Sequence, residues 1–326
     1  MQFVIPMKMG IQIQKNLELD SRLRGNDRHD TNTVNEAHPI WQCRERTITF
    51  NSGAMLMGIL NVTPDSFSDG GRYADKDKAV KRALQMVAEG ADIVDVGGES
   101  SRPGSLPVDA GVELGRVLPV IEELKSRTDT LISIDTQKSA VAEAALQAGA
   151  HIVNDISALE SDRRMPEVVR RYKAGVILMH KKGEPRNMQA NPRYDAVVTE
   201  VSRYLKERIN ILTLEGIAHE AMAVDPGLGF GKTAEHNVEL VAHIKKLGEC
   251  GRPVVIGLSR KRFLGQITGS AVNERLAASL GALAYCFLNG ASVIRVHDVK
   301  ESHDVFSVLK TILGEEGSNA DCRNIA

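Results

Sequence analysis

With 326 residues, 42% of them hydrophobic and 25% charged, the chain can bury the core of one large α/β domain or two ordinary ones. Its formal net charge of -1 argues against non-specific binding to nucleic acid or anionic membrane, so any anion must be held by a local site. Four cysteines (Cys43, Cys250, Cys286, Cys322) without Cys-x-x-Cys spacing suggest neither a zinc site nor a disulfide framework, and no apolar run reaches the roughly 18 residues of a membrane helix. A reducing cytoplasm is the expected location.

Residues 1–40 begin mildly apolar without a charged n-region or a small-residue cleavage site, then mix Lys, Arg, Asp, Glu and Asn with little periodicity. They are expected to be an extension, with folding beginning near Trp41. Trp41 to Phe50 is short and strand-like, and Asn51-Ser52-Gly53 is a turn, which predicts a hairpin able to close the bottom of a barrel. Met55 to Leu60 is apolar apart from Gly58, as a strand buried on both faces should be. It runs into a polar loop reaching Gly71, with Asn61 at the exit, Thr63-Pro64 as a turn, the carboxylates Asp65 and Asp69, and the apolar Phe67. An ordinary connection with helix caps would explain part of this loop, but the same grammar recurs.

A helix is predicted over 76–89, with Gly90 as its C-cap, then the strand Ile93 to Val96 and a polar loop from Gly97 to Gly104. A helix over 109–127, a strand over 131–134 ending at Asp135-Thr136, an Ala-rich helix to Gly149, and His151 to Val153 leading into Asn154-Asp155 continue the pattern. Next come a helix over 162–173, a strand over 175–179 ending at His180, a helix over 195–215, and 221–224 leading into Asp225-Pro226. The last units are a helix over 234–247, a strand over 253–256 running into Ser259-Arg260-Lys261, a helix over 273–288, a strand over 292–296 and a helix over 300–313. Eight strands alternating with helices are what a (β/α)8 barrel requires, although an open doubly wound sheet shares that alternation.

In a barrel the strand C-termini share one mouth, where active sites are built. Those ends carry Asn61, Asp95, Asp135, Asn154, Met179-His180, Asp225, Ser259 to Lys261, and Arg295 to His297. Asp and Asn there could simply cap helices, but Lys261, Arg295 and His297 cannot. Gly227 to Thr233 fails both the Walker and the dinucleotide patterns and reads as a βα loop, with Phe230 either a plate at the mouth or a packing residue. His180 has no second ligand at helical spacing, and His151 reads as structural. Carboxylates with an Asn amide suit a flat heterocycle bearing several N-H donors, and Lys261, Arg295, His297 and Arg102 suit a polyphosphate. Asn61 could hold Mg²⁺ together with phosphate oxygens. A base-like ring and a diphosphate at one mouth imply group transfer with pyrophosphate leaving.

In order along residues 41–314, these motifs resemble the dihydropteroate synthase family: Asn61 to Gly71, Asp95 to Gly104, Asp135-Thr136, Asn154-Asp155, Met179-His180, Asp225-Pro226-Gly227, Ser259-Arg260-Lys261 and Arg295-Val296-His297. The resemblance implies a pterin-binding TIM barrel over 41–314, with 315–326 as a tail, acting in folate synthesis. It would condense a 6-hydroxymethyl-dihydropterin diphosphate with p-aminobenzoate, giving dihydropteroate and pyrophosphate. Mg²⁺, a homodimer and competition by sulfonamides are implied as well, with no nucleic-acid or membrane partner.

Carried over residue by residue, the pterin pocket falls on Asp95, Asp135, Asn154, Met179, Asp225 and Lys261. The diphosphate site falls on Asn61, Arg295 and His297, with Asn61 also touching the metal. The p-aminobenzoate site falls on Phe67, Ser101, Arg102, Pro103, Phe230, Ser259 and Lys261. The implied mechanism is dissociative: pyrophosphate leaves, Asp69 stabilises a pterin methylene cation, and the neutral arylamine attacks, so Asn61, Asp69, Lys261, Arg295 and His297 are the expected catalytic set. Ser101 stands where the family usually has Thr, and Lys181 where an apolar residue is commoner. A pterin-binding methyltransferase should lack the diphosphate cations, and a catalytically silent pterin-binding paralogue should have lost some of them; all are present.

Overall fold

In a computed structural model, which describes residues 39–50, 53–63, 72–100, 107–183 and 188–314, the alternating run at Trp41 forms an antiparallel hairpin. Its strands are β1 (Ile40–Cys43) and β2 (Arg46–Thr49). The two-residue connection puts Arg44 at φ 60°, the left-handed geometry of tight hairpin turns. From there its guanidinium donates to the carbonyls of Leu146 and Ala150 at 2.8 and 2.9 Å.

The eight apolar runs form parallel strands: β3 (Met55–Asn61), β4 (Ile93–Gly97), β5 (Leu131–Asp135), β6 (Ile152–Asp155), β7 (Gly175–Met179), β8 (Met222–Asp225), β9 (Val255–Gly257) and β10 (Val293–Val296). They lie in the order β8-β7-β6-β5-β4-β3-β10-β9. The ends of that row meet, because Val224 bridges Val254 in parallel and its N-H donates to the Pro253 carbonyl at 2.9 Å. This closure makes the sheet a (β/α)8 barrel and removes the open-sheet competitor.

Around the barrel run α1 (Arg72–Ala88), α2 (Ala110–Arg127), α3 (Ser139–Gln147), α4 (Met165–Tyr172), α5 (Val197–Leu214), α6 (Ala234–Ala242), α7 (Ile244–Gly248), α8 (Arg262–Thr268), α9 (Leu276–Leu288) and α10 (Val299–Leu313). Four of them, α6 to α9, depart from the sequence reading. The helix expected over 234–247 breaks at His243, whose φ of -111° leaves the helical region, giving α6 and α7. The short α8, stopped by Gly269 at φ 75°, has too few turns to show a period, and the helix expected from Asn273 begins at Leu276 after a 3-10 turn. Of the extension expected over residues 1–40, residues 1–38 lie outside the described residues, as does the tail (315–326), and Ile40 already belongs to β1.

Strand periodicity sorts the core into two parts. One set of strand side chains packs outward against the helices. The other fills the barrel bottom, where Met55, Met57, Ile93, Leu131, Ile152 and Val293 meet Trp41, Cys43, Ile48 and Phe50 of the hairpin. The hairpin is therefore the floor of the barrel. Trp41 is fully buried and its indole N-H donates to Ala221 O at 2.9 Å, so its polar edge is satisfied. His151 accepts the Ile132 N-H on Nδ1 at 3.1 Å, and burial pushes its pKa down to about 4, which fits the structural role read from its place at a strand start.

Candidate functional site

Above the apolar floor, the same alternation turns polar side chains into the barrel mouth. Register pairs Ile59 with Asp95, Asn61 with Gly97, Gly97 with Asp135, and Asp135 with Asn154, so four adjacent strand ends converge. Gly97 lies between them: a Cβ there would meet Asp135 Cβ at 3.5 Å and Asn61 Oδ1 at 3.9 Å, in ordinary contact with both. Asp95 is fully buried; its Oδ2 accepts from Asn154 Nδ2 at 3.1 Å and from Arg295 Nε at 2.6 Å, while Oδ1 has no hydrogen-bond partner. Arg295 also donates from Nη2 to Asp135 Oδ2 at 2.8 Å. One guanidinium thus serves two carboxylates. Burial pushes the Asp135 carboxyl up to about 7, with Arg295 opposing the shift and Asp95 adding to it.

Asp225 ends β8, with its Oδ1 accepting from Gly227 N at 2.7 Å, and burial raises its pKa above the ordinary value. Lys261 precedes α8, and its ammonium donates to Leu228 O at 2.8 Å and lies 4.7 Å from the centre of the Phe230 ring. Burial pulls the Lys261 pKa down to about 8 against the pull of Asp225. Phe230 is half-buried and faces this cation, which favours the plate at the mouth over the packing role. Met179 is buried at the end of β7, in register with Asp225.

His297 follows β10. The Ser259 hydroxyl accepts its backbone N-H at 3.2 Å and lies 3.0 Å from Nδ1. Next to them, Arg260 takes φ 58° and its guanidinium forks onto Asp298, with Nε 3.1 Å from Oδ2 and Nη2 2.5 Å from Oδ1. The loops after β9 and β10 are thereby tied together.

The structure brings Asn61, Asp95, Asp135, Asn154, Met179, Asp225, Phe230, Ser259, Lys261, Arg295 and His297 to the mouth. Phe67, Asp69, Ser101, Arg102 and Pro103 lie outside the described residues. Asp155 turns away, its carboxylate accepting from the Ser157 and Leu159 N-H groups as a local cap. His180 also leaves the mouth: it is buried beside Lys232, its ring edge-on to Tyr204, and its pKa is pushed down to about 3. Sequence reading missed Lys138, whose ammonium pairs with Glu99 and, at 2.5 Å, with the fully buried Glu113, anchoring the loop that follows β4. No spacing signals that cluster, because its three members come from separate elements.

Among the described residues, no group of three or more His, Cys, Asp or Glu side chains could hold a metal ion. Those residues therefore build no fully enclosed transition-metal centre. The Asn61 amide oxygen at the rim suits a hard, mostly hydrated cation that shares its remaining ligands with a phosphate.

Residues 57–297 match the sequence profile of the family described as pterin binding enzyme. The chain is 44% identical over 258 residues to the dihydropteroate synthase of Escherichia coli K12, an overlap covering 79% of this chain and 91% of that one. It superposes on the dihydropteroate synthase of Xanthomonas albilineans with 4-aminobenzoic acid at a TM-score of 0.79 and 42% identity, covering 85% of this chain and 98% of that one. The Yersinia pestis dihydropteroate synthase in a sulfonamide drug complex matches at a TM-score of 0.79 and 39% identity, covering 84% and 99%. The chain belongs to the pterin binding enzyme family and, within it, to the dihydropteroate synthases.

Proposed function

We infer that the chain joins 6-hydroxymethyl-7,8-dihydropterin diphosphate to p-aminobenzoate, giving 7,8-dihydropteroate and pyrophosphate. The observation that carries this reading is the cluster of Asp95, Asp135 and Asn154 around Arg295, with Lys261 and His297 at the same mouth. The carboxylates and the amide accept the N-H groups of the pterin edge. Arg295, His297 and Lys261 hold the diphosphate and stabilise the charge that gathers on it as the carbon-oxygen bond breaks. The arylamine lone pair then forms the carbon-nitrogen bond and its proton passes to solvent. A neutral arylamine needs no strong base, so catalysis is positioning and electrostatics.

Asn61 would hold Mg²⁺ together with the diphosphate, and the ion would supply Lewis-acid neutralisation of the leaving group. Phe230, with Phe67, Ser101, Arg102 and Pro103 of the first two loops, forms the p-aminobenzoate and sulfonamide site in this reading, and Asp69 stabilises the methylene cation. A homodimer is part of the same reading, supported by the family resemblance and by the exposed apolar side chains Leu288, Val308 and Ile312. No helix among the described residues is long and apolar enough to cross a membrane. A cytoplasmic location is supported by the scattered, unpatterned cysteines. Retention of Lys261, Arg295 and His297 weighs against a catalytically silent paralogue. The test is pyrophosphate release from the diphosphate with p-aminobenzoate and Mg²⁺, each omitted in turn. Release requiring all three is expected; tight pterin binding without release would turn the reading to the silent paralogue.

A further inference from the structure

The loop after β8 runs Gly227-Leu228-Gly229-Phe230-Gly231, with Gly227, Gly229 and Gly231 all at left-handed φ of 66°, 83° and 65°. Two of these glycines are also forced by contact. A Cβ on Gly227 would lie 2.0 Å from the His180 carbonyl oxygen, and one on Gly231 would lie 2.0 Å from that of Lys182. The loop therefore lies flat against the segment that follows β7. Within it the carbonyls of Gly227 and Phe230 turn to a common point, while those of Leu228, Gly229 and Gly231 accept from Lys261, Gln189 and Tyr194.

Lys232 meets that point. Its side chain is 3% exposed, and Nζ lies 3.0 Å from Gly227 O, 3.1 Å from Phe230 O, 3.3 Å from His180 O and 3.0 Å from His180 Nδ1. Thr233 follows as the N-cap of α6, so the lysine backbone is fixed at the helix entrance. On the other side of the same loop, Lys261 donates to Leu228 O and faces the Phe230 ring. Two ammonium groups thus hold five residues from opposite sides, one at the mouth and one buried beneath it.

We propose that Lys232 is a positioning residue, which sets the place and tilt of the Phe230 ring by gathering the carbonyls of Gly227, Phe230 and His180. In this reading it touches neither substrate, and its effect reaches the arylamine chiefly through Phe230; this rests on the reading of Phe230 as one wall of the p-aminobenzoate site. An ammonium suits the task because it has three donors and no acceptor, matching a cluster of carbonyls. Lys232→Met keeps the stem and removes every donor.

Steady-state constants for both substrates, with sulfonamide inhibition, test the proposal on Lys232→Met and on Phe230→Leu. For Lys232→Met, the p-aminobenzoate KM and the sulfonamide inhibition constant are expected to rise tenfold or more, with the KM of the dihydropterin diphosphate changed less than threefold. A proportional rise in both KM values, or no rise in either, would overturn it. If Phe230→Leu leaves the p-aminobenzoate KM unchanged, the reading of Phe230 fails instead, which separates the two. Should Lys232→Met not fold, couplings through the hydrogen bonds from Lys232 Nζ to the carbonyl carbons of Gly227 and Phe230 decide the matter in the unsubstituted, isotope-labelled protein. Their presence supports the clamp, and their absence removes it.

Discussion

Arg295 Nε donates to Asp95 Oδ2 at 2.6 Å, reaching from β10 to β4 over the intervening β3. The same guanidinium holds Asp135, so it neutralises two carboxylates that would otherwise repel each other and orients both for a ligand. Arg295→Ala removes that pairing together with one cation of the proposed diphosphate site. Turnover is expected to fall by at least about 10²-fold, the scale for losing one positioned charge-stabilising donor. Pyrophosphate release measures it, and near-normal activity in this variant would refute the role.

The pH profile carries a second expectation. The Asp135 pKa is raised to about 7 by burial and that of Lys261 lowered to about 8 by burial. Between pH 3.8 and about 7 the folded protein keeps a proton on Asp135 that the unfolded chain has released, so this group alone makes stability fall as pH rises across that window. Substrate binding runs the other way, because an ionised Asp135 is the better acceptor for pterin N-H groups. The kcat/KM for the dihydropterin diphosphate should therefore rise through about pH 7 and fall above about pH 8, where Lys261 loses its charge. In residual activity, Asp135→Asn should erase the rising limb and Lys261→Arg the falling one; limbs that stay in place would assign them to other groups, the substrate's phosphates included.

Most of the barrel was legible because its signals are local. Buried runs such as Ile93 to Val96 can only be strands or short buried helices, and the glycine stops at Gly90 and Gly149 both sit at left-handed φ in the structure. Strand-end polar residues followed once the barrel was assumed, since the mouth is fixed by topology. Contacts between distant elements were not legible. The Lys138 cluster, the Lys232 clamp and the Ser259 contact with His297 each join residues from different loops, and no spacing along the chain encodes such a meeting. His180 shows the converse: its place at a strand end suggested the mouth, yet the turn after β7 points it beneath the neighbouring loop.

Ser259 was assigned to the p-aminobenzoate site by resemblance, whereas its hydroxyl lies against His297. In the proposed reading the hydroxyl, which already accepts the His297 backbone N-H, donates its own proton to Nδ1, and Nε2-H is then the donor for the diphosphate. Ser259→Ala should then raise the KM of the diphosphate substrate roughly fivefold, the scale of one neutral hydrogen bond, and leave that of p-aminobenzoate little changed. Ser259→Thr keeps the hydroxyl and should restore the constant. The opposite split, with p-aminobenzoate affected first, would return Ser259 to the arylamine site.

Trp41 separates stability from catalysis. It lies at the barrel floor, fully buried, at the end of the barrel opposite the polar mouth, with its indole N-H held by Ala221 O. Removing an aromatic side chain of this size from a packed core costs about 3–5 kcal/mol, and the orphaned carbonyl adds to that. Trp41→Ala should therefore shift the urea midpoint sharply downward while kcat and both KM values, measured well below the transition, stay within about twofold of the parent, since floor and mouth are coupled only through strands that remain hydrogen-bonded to their neighbours. A large loss of kcat at unchanged stability would mean that the floor sets the geometry of the strand ends, and the division between a structural bottom and a chemical top would not hold for this barrel.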